Sequence, residues 1–133
     1  MQFTRRDLLV SSILVSTSAL TSCASLTGEE RMYGLIGKAL AKAGERDTLI
    51  AVLLEGASTM PGCLSYVVAK DPIDETAIWI TEVWDSEASH RASLNLPSVK
   101  AAISRGRPLI AGFGDRFVTE PVGGHGLASG SSS

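Results

Sequence analysis

With 133 residues, 44% of them hydrophobic and 20% charged, the chain has room for one domain and is too apolar to be extensively disordered. A formal net charge of −2 without a basic stripe leaves no electrostatic footprint for nucleic acid. Its only cysteines, Cys23 and Cys63, are too few for a disulfide-built scaffold.

The first element is an address. Arg5-Arg6 precedes a moderately apolar run from Leu8 to Leu20. As a helix that run covers roughly 20 Å, short of the ~30 Å hydrocarbon core of a bilayer. A positive start and a short apolar run form the pattern of an export signal. Adjacent arginines before Leu8-Leu9, with serines and threonines diluting the run, resemble a twin-arginine signal; a general secretory signal is the alternative. Leu20-Thr21-Ser22-Cys23 resembles a bacterial lipobox, whose cysteine is diacylated and becomes the new N-terminus. Each buried acyl methylene contributes ~0.8 kcal/mol, and two chains make the anchor stable. Residues 1–23 are then the export signal with its lipobox, 24–31 a tether, 32–127 the domain and 128–133 a disordered tail. Ala24, in place of an aspartate, fits an outer-membrane destination. The expected location is the periplasmic side of the cell envelope, with membrane contact through the lipid anchor alone. Cys63 is left without an intramolecular partner.

Met32 to Leu40 alternates small and apolar residues and predicts a first strand. Gly44 breaks it, and Glu45 and Asp47 place negative charge in the first turn of a helix. Leu49, Ile50, Val52, Leu53 and Leu54 give that helix a broad apolar face, and Gly56 ends it. Met60-Pro61-Gly62 is a turn in which Gly62 is free to take positive φ. Cys63 to Lys70 reads as the second strand, with Leu64, Tyr66 and Val68 on one face and Cys63, Ser65 and Val67 on the other. Asp71 to Glu75 forms a polar hairpin loop, and Thr76 to Trp84 the third strand. This strand is apolar on both faces, Ile78 and Ile80 on one and Trp79 and Val83 on the other. A strand buried on one face alone would alternate with polar residues, so helices are expected on one side and a partner subunit on the other. Asp85 or Ser86 caps the next helix, and Pro97 starts a further helical piece from about Ser98 to Arg105. Arg107 to Gly114 reads as a connection and Asp115 to Glu120 as the fourth strand. The order β-α-β-β-α-β is the ferredoxin-like arrangement, an α+β sandwich of four antiparallel strands with helices on one face.

Met60 to Tyr66, Glu82-Val83-Trp84-Asp85 and Leu96-Pro97-Ser98-Val99 resemble the antibiotic biosynthesis monooxygenase family. Arg107 to Phe113 and Glu120 to Gly124 resemble its quinol monooxygenase branch. The resemblance covers roughly residues 32–127. It implies a dimeric α/β barrel, which would cover the second face of the third strand. It also implies oxygenation of electron-rich phenols without metal or flavin, the deprotonated substrate itself supplying electrons to O2. A haem-degrading branch shares the fold, but Ser93 and Ile103 stand where its tryptophan and histidine align. Many members also carry a histidine where this chain has Ser93, leaving His90, one turn earlier, as the substitute.

Tyr66 and Trp84 are the candidate substrate-binding residues, and His90 and Glu82 the candidate catalytic ones. Each has a plainer reading. Glu82 fits an ion pair with Arg107 or Arg116, His90 a solvated position beside Glu87 and Arg91, and Trp79 a place in the core. Cys63 reads as a small apolar residue, and His125, after Gly123-Gly124, as inert. Two separated histidines and one thiol make no metal site, and no phosphate loop, nucleophile elbow or dinucleotide fingerprint occurs. The expectation is a cofactor-free monooxygenase, with O2 and a small aromatic quinol or phenol as its partners, working as a homodimer. The alternative is a non-catalytic, lipid-anchored dimer that captures a small apolar molecule.

Overall fold

The structure is a computed structural model that describes residues 31–129. The export signal with Arg5 and Arg6, the lipobox Cys23, the tether up to residue 30 and residues 130–133 lie outside the described residues.

Strands β1 (Tyr33–Ala41), β2 (Cys63–Lys70), β3 (Ala77–Trp84) and β4 (Ile110–Thr119) form one antiparallel sheet in the order β2-β3-β1-β4. Helix α1 (Arg46–Gly56) links β1 to β2, and helices α2 (Glu87–Ser93) and α3 (Pro97–Gly106) link β3 to β4. This is the expected ferredoxin-like α+β fold. No helix among the described residues is long and apolar enough to cross a membrane.

Local chemistry places the elements. Ser86 is extended and accepts the Ser89 N–H on its hydroxyl at 3.1 Å, which starts α2. Pro97 opens α3, where its missing N–H leaves no helical acceptor unsatisfied. Gly56 lets the two longer helices approach, since a Cβ there would lie 2.6 Å from that of Ala102. The sheet's inner face meets these helices, and Ala41, Leu49 and Ile78 form the buried core at one end of it.

Two expectations are corrected. The fourth strand starts at Ile110, after a 3₁₀ turn over Arg107–Leu109, rather than at Asp115. Gly112 and Gly114 read as loop residues, but Gly114 serves close packing in the strand: a Cβ there would lie 3.0 Å from the Lys38 side chain, beside a bulge in the β1–β4 ladder. A second bulge, between Cys63 and Ser65, sets Cys63 opposite Trp84 and Ser65 opposite Val83. Directly opposite residues share a face, so Cys63 stands with Trp84 and not with Ser65 and Val67.

The outer face carries the row Val67, Thr81, Ile36 and Phe117, running from edge to edge of the sheet. Val67 and Phe117 are 52% and 53% exposed, so helices account for only one of the two apolar faces of β3. Trp79 also lies outward. Its indole N–H donates to Asp71 Oδ2 at 2.9 Å and the Lys38 ammonium sits 5.2 Å from its ring, which ties it to the hairpin. Beyond β4 the chain returns across the sheet, and the Ala128 N–H donates to the Leu64 carbonyl at 3.0 Å.

Candidate functional site

Gly62 joins the two halves of the site. Its φ of 84° suits glycine, and a Cβ would stand 2.5 Å from Ser89 and 2.8 Å from the Asp85 carboxylate. The Asp85 N–H donates to the Gly62 carbonyl at 2.9 Å. The Pro61-Gly62 turn is thereby seated against the start of α2, and the orientation of that helix follows from it.

Between the sheet's inner face and the helices lies a cavity of about 600 Å³, within the range of small-molecule sites. Tyr66, Glu82, Trp84 and His90 all line it. The sheet explains three of them: Tyr66 stands opposite Glu82 on the neighbouring strand, and Trp84 is two residues further along Glu82's face. Helix α2 brings in the fourth.

Glu82 Oε2 is the hub of the cluster. It accepts the Trp84 indole N–H at 2.8 Å and lies 3.9 Å from His90 Nε2. Neither Arg107 nor Arg116 pairs with it, which corrects the expected ion pair; Arg116 stands two rows away, opposite Gly37, and Arg107 precedes β4. His90 is not solvated either. Its side chain is only 14% exposed, and that of Glu82 17%. The imidazole meets the Trp84 ring edge-on at 5.4 Å and a tilted Tyr33 ring at 5.3 Å. Glu87 and Arg91 pair with each other at 2.7 Å on the helix's outer side and leave His90 to the cavity. Ser93, where the resemblance leads one to expect a histidine, is buried and donates its hydroxyl to the His90 carbonyl at 2.6 Å.

Burial, and after it the nearby Glu82 carboxylate, push the Tyr66 hydroxyl well above its ordinary range. At neutral pH it is a protonated donor. Burial likewise raises the Cys63 thiol, which donates weakly to the Ser65 carbonyl at 3.5 Å. His125 is exposed, in a turn after β4.

Apart from Ser93 and Arg107 the rest of the cavity lining is apolar, with Leu53 and Met60 inside and Leu94, Ile103 and Phe113 toward solvent. Phe113 is 74% exposed. Sequence patterning does not single out Tyr33 or Phe113. Tyr33 is the first residue of its strand, and Phe113 stood in what read as a connection.

Residues 32–105 match the model of the family described as "Antibiotic biosynthesis monooxygenase", more than half of the chain. The chain belongs to the antibiotic biosynthesis monooxygenase family. A crystal structure of a protein from Chloroflexus aurantiacus J-10-fl, named for this same family, is 68% identical to it. The match covers 73% of this chain and 99% of that one, with a TM-score of 0.72. A family-named protein from Caulobacter crescentus CB15 shares the fold at 20% identity, with 71% and 93% of the two chains covered and a TM-score of 0.65. One from Deinococcus radiodurans matches at 26% identity, over 69% and 94%, with a TM-score of 0.58. No curated protein matches the chain. The matched residues include both Met60 to Tyr66 and Glu82 to Asp85. The cluster of Glu82, Trp84, His90 and Tyr33 is read from the side chains of this chain.

Proposed function

We propose that this family member is a monooxygenase that takes a small aromatic quinol or phenol and uses the substrate itself as the source of electrons. The observation that carries the reading is the placement of Glu82, His90 and Tyr66 together in a mostly apolar cavity. An apolar cavity selects a planar ring, and the polar end provides what a phenol needs in order to lose a proton.

His90 takes the proton from the substrate hydroxyl. The Glu82 carboxylate, at 3.9 Å, stabilises the resulting imidazolium, and the Trp84 indole holds that carboxylate in place. Tyr66, protonated, donates a hydrogen bond to the substrate oxygen. The phenolate passes one electron to O2, and the resulting radical pair combines to form a carbon–oxygen bond. The hydroperoxide O–O bond then breaks with loss of water. One oxygen atom enters the product and the other leaves as water, all four electrons coming from the substrate. Exclusion of bulk water by the apolar walls strengthens each of these electrostatic contacts.

Oxygen uptake against a panel of hydroquinones tests this reading. Wild type is expected to exceed autoxidation, while His90→Ala and Glu82→Gln lose about 10²-fold or more in kcat/KM, as loss of an acid–base group does. Uptake no faster than autoxidation, or unchanged in both variants, contradicts it.

The reading extends to place and assembly. The resemblance of Leu20 to Cys23 to a lipobox supports lipid anchoring at the cell envelope. Labelled palmitate is expected in the wild type and not in Cys23→Ala; an unlabelled wild type refutes the anchor. The uncovered row Val67, Ile36 and Phe117 supports a homodimer formed through the outer sheet face.

A further inference from the structure

We propose that the cavity is two-ended and that its substrate is a phenol or quinol bearing a carboxylate on a side arm, with Arg107 binding the carboxylate. The inference deepens the reading above and rests on the cavity being the substrate site.

Among the residues lining the cavity, Arg107 is the one with a permanent positive charge. It forms no ion pair among the described residues, although Glu55, Glu82, Glu87 and Glu120 each have a basic neighbour within 4.0 Å or less. Its guanidinium is thus available to a ligand.

The two charges occupy opposite ends of the fold. Glu82 stands opposite Leu35 near the start of β1, whereas Ile110, three residues after Arg107, stands opposite Ala41 at its end. At about 3.3 Å per residue this places roughly 20 Å of strand between the two levels. The wall between them is apolar, built from residues such as Leu53, Ala102, Ile110 and Phe113. A single phenolic ring fills only part of about 600 Å³. A ring carrying an apolar arm fills more of it.

Electrostatics fixes which end of such a ligand goes where. The Glu82 carboxylate repels an anion and accepts a proton-bearing group, which suits the phenol. Arg107 offers a planar fork of N–H donors matched to a carboxylate, and it is exposed, so the anion need not lose all its water. A ligand with both groups is held in one orientation, with its hydroxyl beside His90. Arg107 is on this account a specificity-determining residue that does not touch the reacting atoms.

Anaerobic calorimetry with the folded protein tests the assignment without turnover. The probes are hydroquinones carrying alkyl arms of graded length that end in a carboxylate or in the matched primary amide. At the best length the carboxylate is expected to bind about tenfold more tightly than the amide, the scale of one charge-assisted contact. The ratio falls to about one in Arg107→Gln and is partly restored in Arg107→Lys. A wild-type ratio near one at every length overturns the proposal, as does a ratio unaltered in Arg107→Gln. A carboxylate preference without any oxygen uptake would sink the oxygenase reading and leave Arg107 assigned. Oxygen uptake indifferent to the carboxylate would do the reverse.

Discussion

Gly62 shows how one backbone position seats the turn of this site against the start of α2. Replacing it with alanine forces a side chain into left-handed backbone, at a cost of about 1–2 kcal/mol. It also presses a methyl group against Ser89 and Asp85, adding about 1–3 kcal/mol. Gly62→Ala is therefore expected to lower unfolding free energy by about 2–5 kcal/mol in urea titrations, and a loss below about 1 kcal/mol would show that the turn relaxes freely. The need for positive φ was legible from Pro61-Gly62 alone. The burial of His90 was not, because its neighbours Glu87 and Arg91 mark a solvated helix. Its true face is the one shared with Ser93 and Leu94, three and four residues on, and a serine does not announce a buried stripe. The partner of Glu82 was misread for a related reason. The sequence offers both arginines, and only the register of β4 shows that one lies two rows away and the other before the strand.

Among the elements, the β2–β3 hairpin has the most explicit polar support. Asp71 accepts the N–H groups of Asp74 and Ile73 on one oxygen and the Trp79 indole on the other, each at 2.9 Å. Those bonds, the Asp74 amide foremost, hold its carboxyl at about 2, below the ordinary 3.8. From the start of α1, Arg46 Nη1 donates to the Asp71 and Asp74 carbonyls at 3.2 and 3.0 Å, fastening helix to hairpin. A depressed folded-state value stabilises the fold fully above the unfolded value and is lost as pH falls through the folded one. The hairpin's contribution is thus complete above about pH 4 and disappears toward about pH 2. Asp71→Asn should flatten the pH dependence of the urea midpoint in that window, and an unchanged slope would remove Asp71 from the account. The hairpin itself was readable from Asp71-Pro72 and the alternation around it. The early start of β4 was hidden, because glycine in a strand and glycine in a loop look alike until the neighbouring strand is in place.

For the whole molecule, the fold divides the labour between two faces. The inner face holds both the core and the cavity, which share Leu49 and Ile110, and the outer face presents Val67, Ile36 and Phe117 to solvent. Apolar residues on both sides of β3 made this second surface visible in the sequence, and the register supplied the row. If that row joins two copies, sedimentation at micromolar concentration should give a dimer for the wild type and a monomer for Phe117→Lys. A monomeric wild type would leave the outer face without its proposed partner. The proposed chemistry depends most on the inner face, and turnover under 18O2 questions it most directly. Incubated with a hydroquinone that binds, the protein should yield a hydroxylated quinone carrying one labelled oxygen, with the second label in water and no peroxide accumulating. A product without label, or label that appears equally without protein, would contradict the assignment of Glu82 and His90 to an oxygenation site.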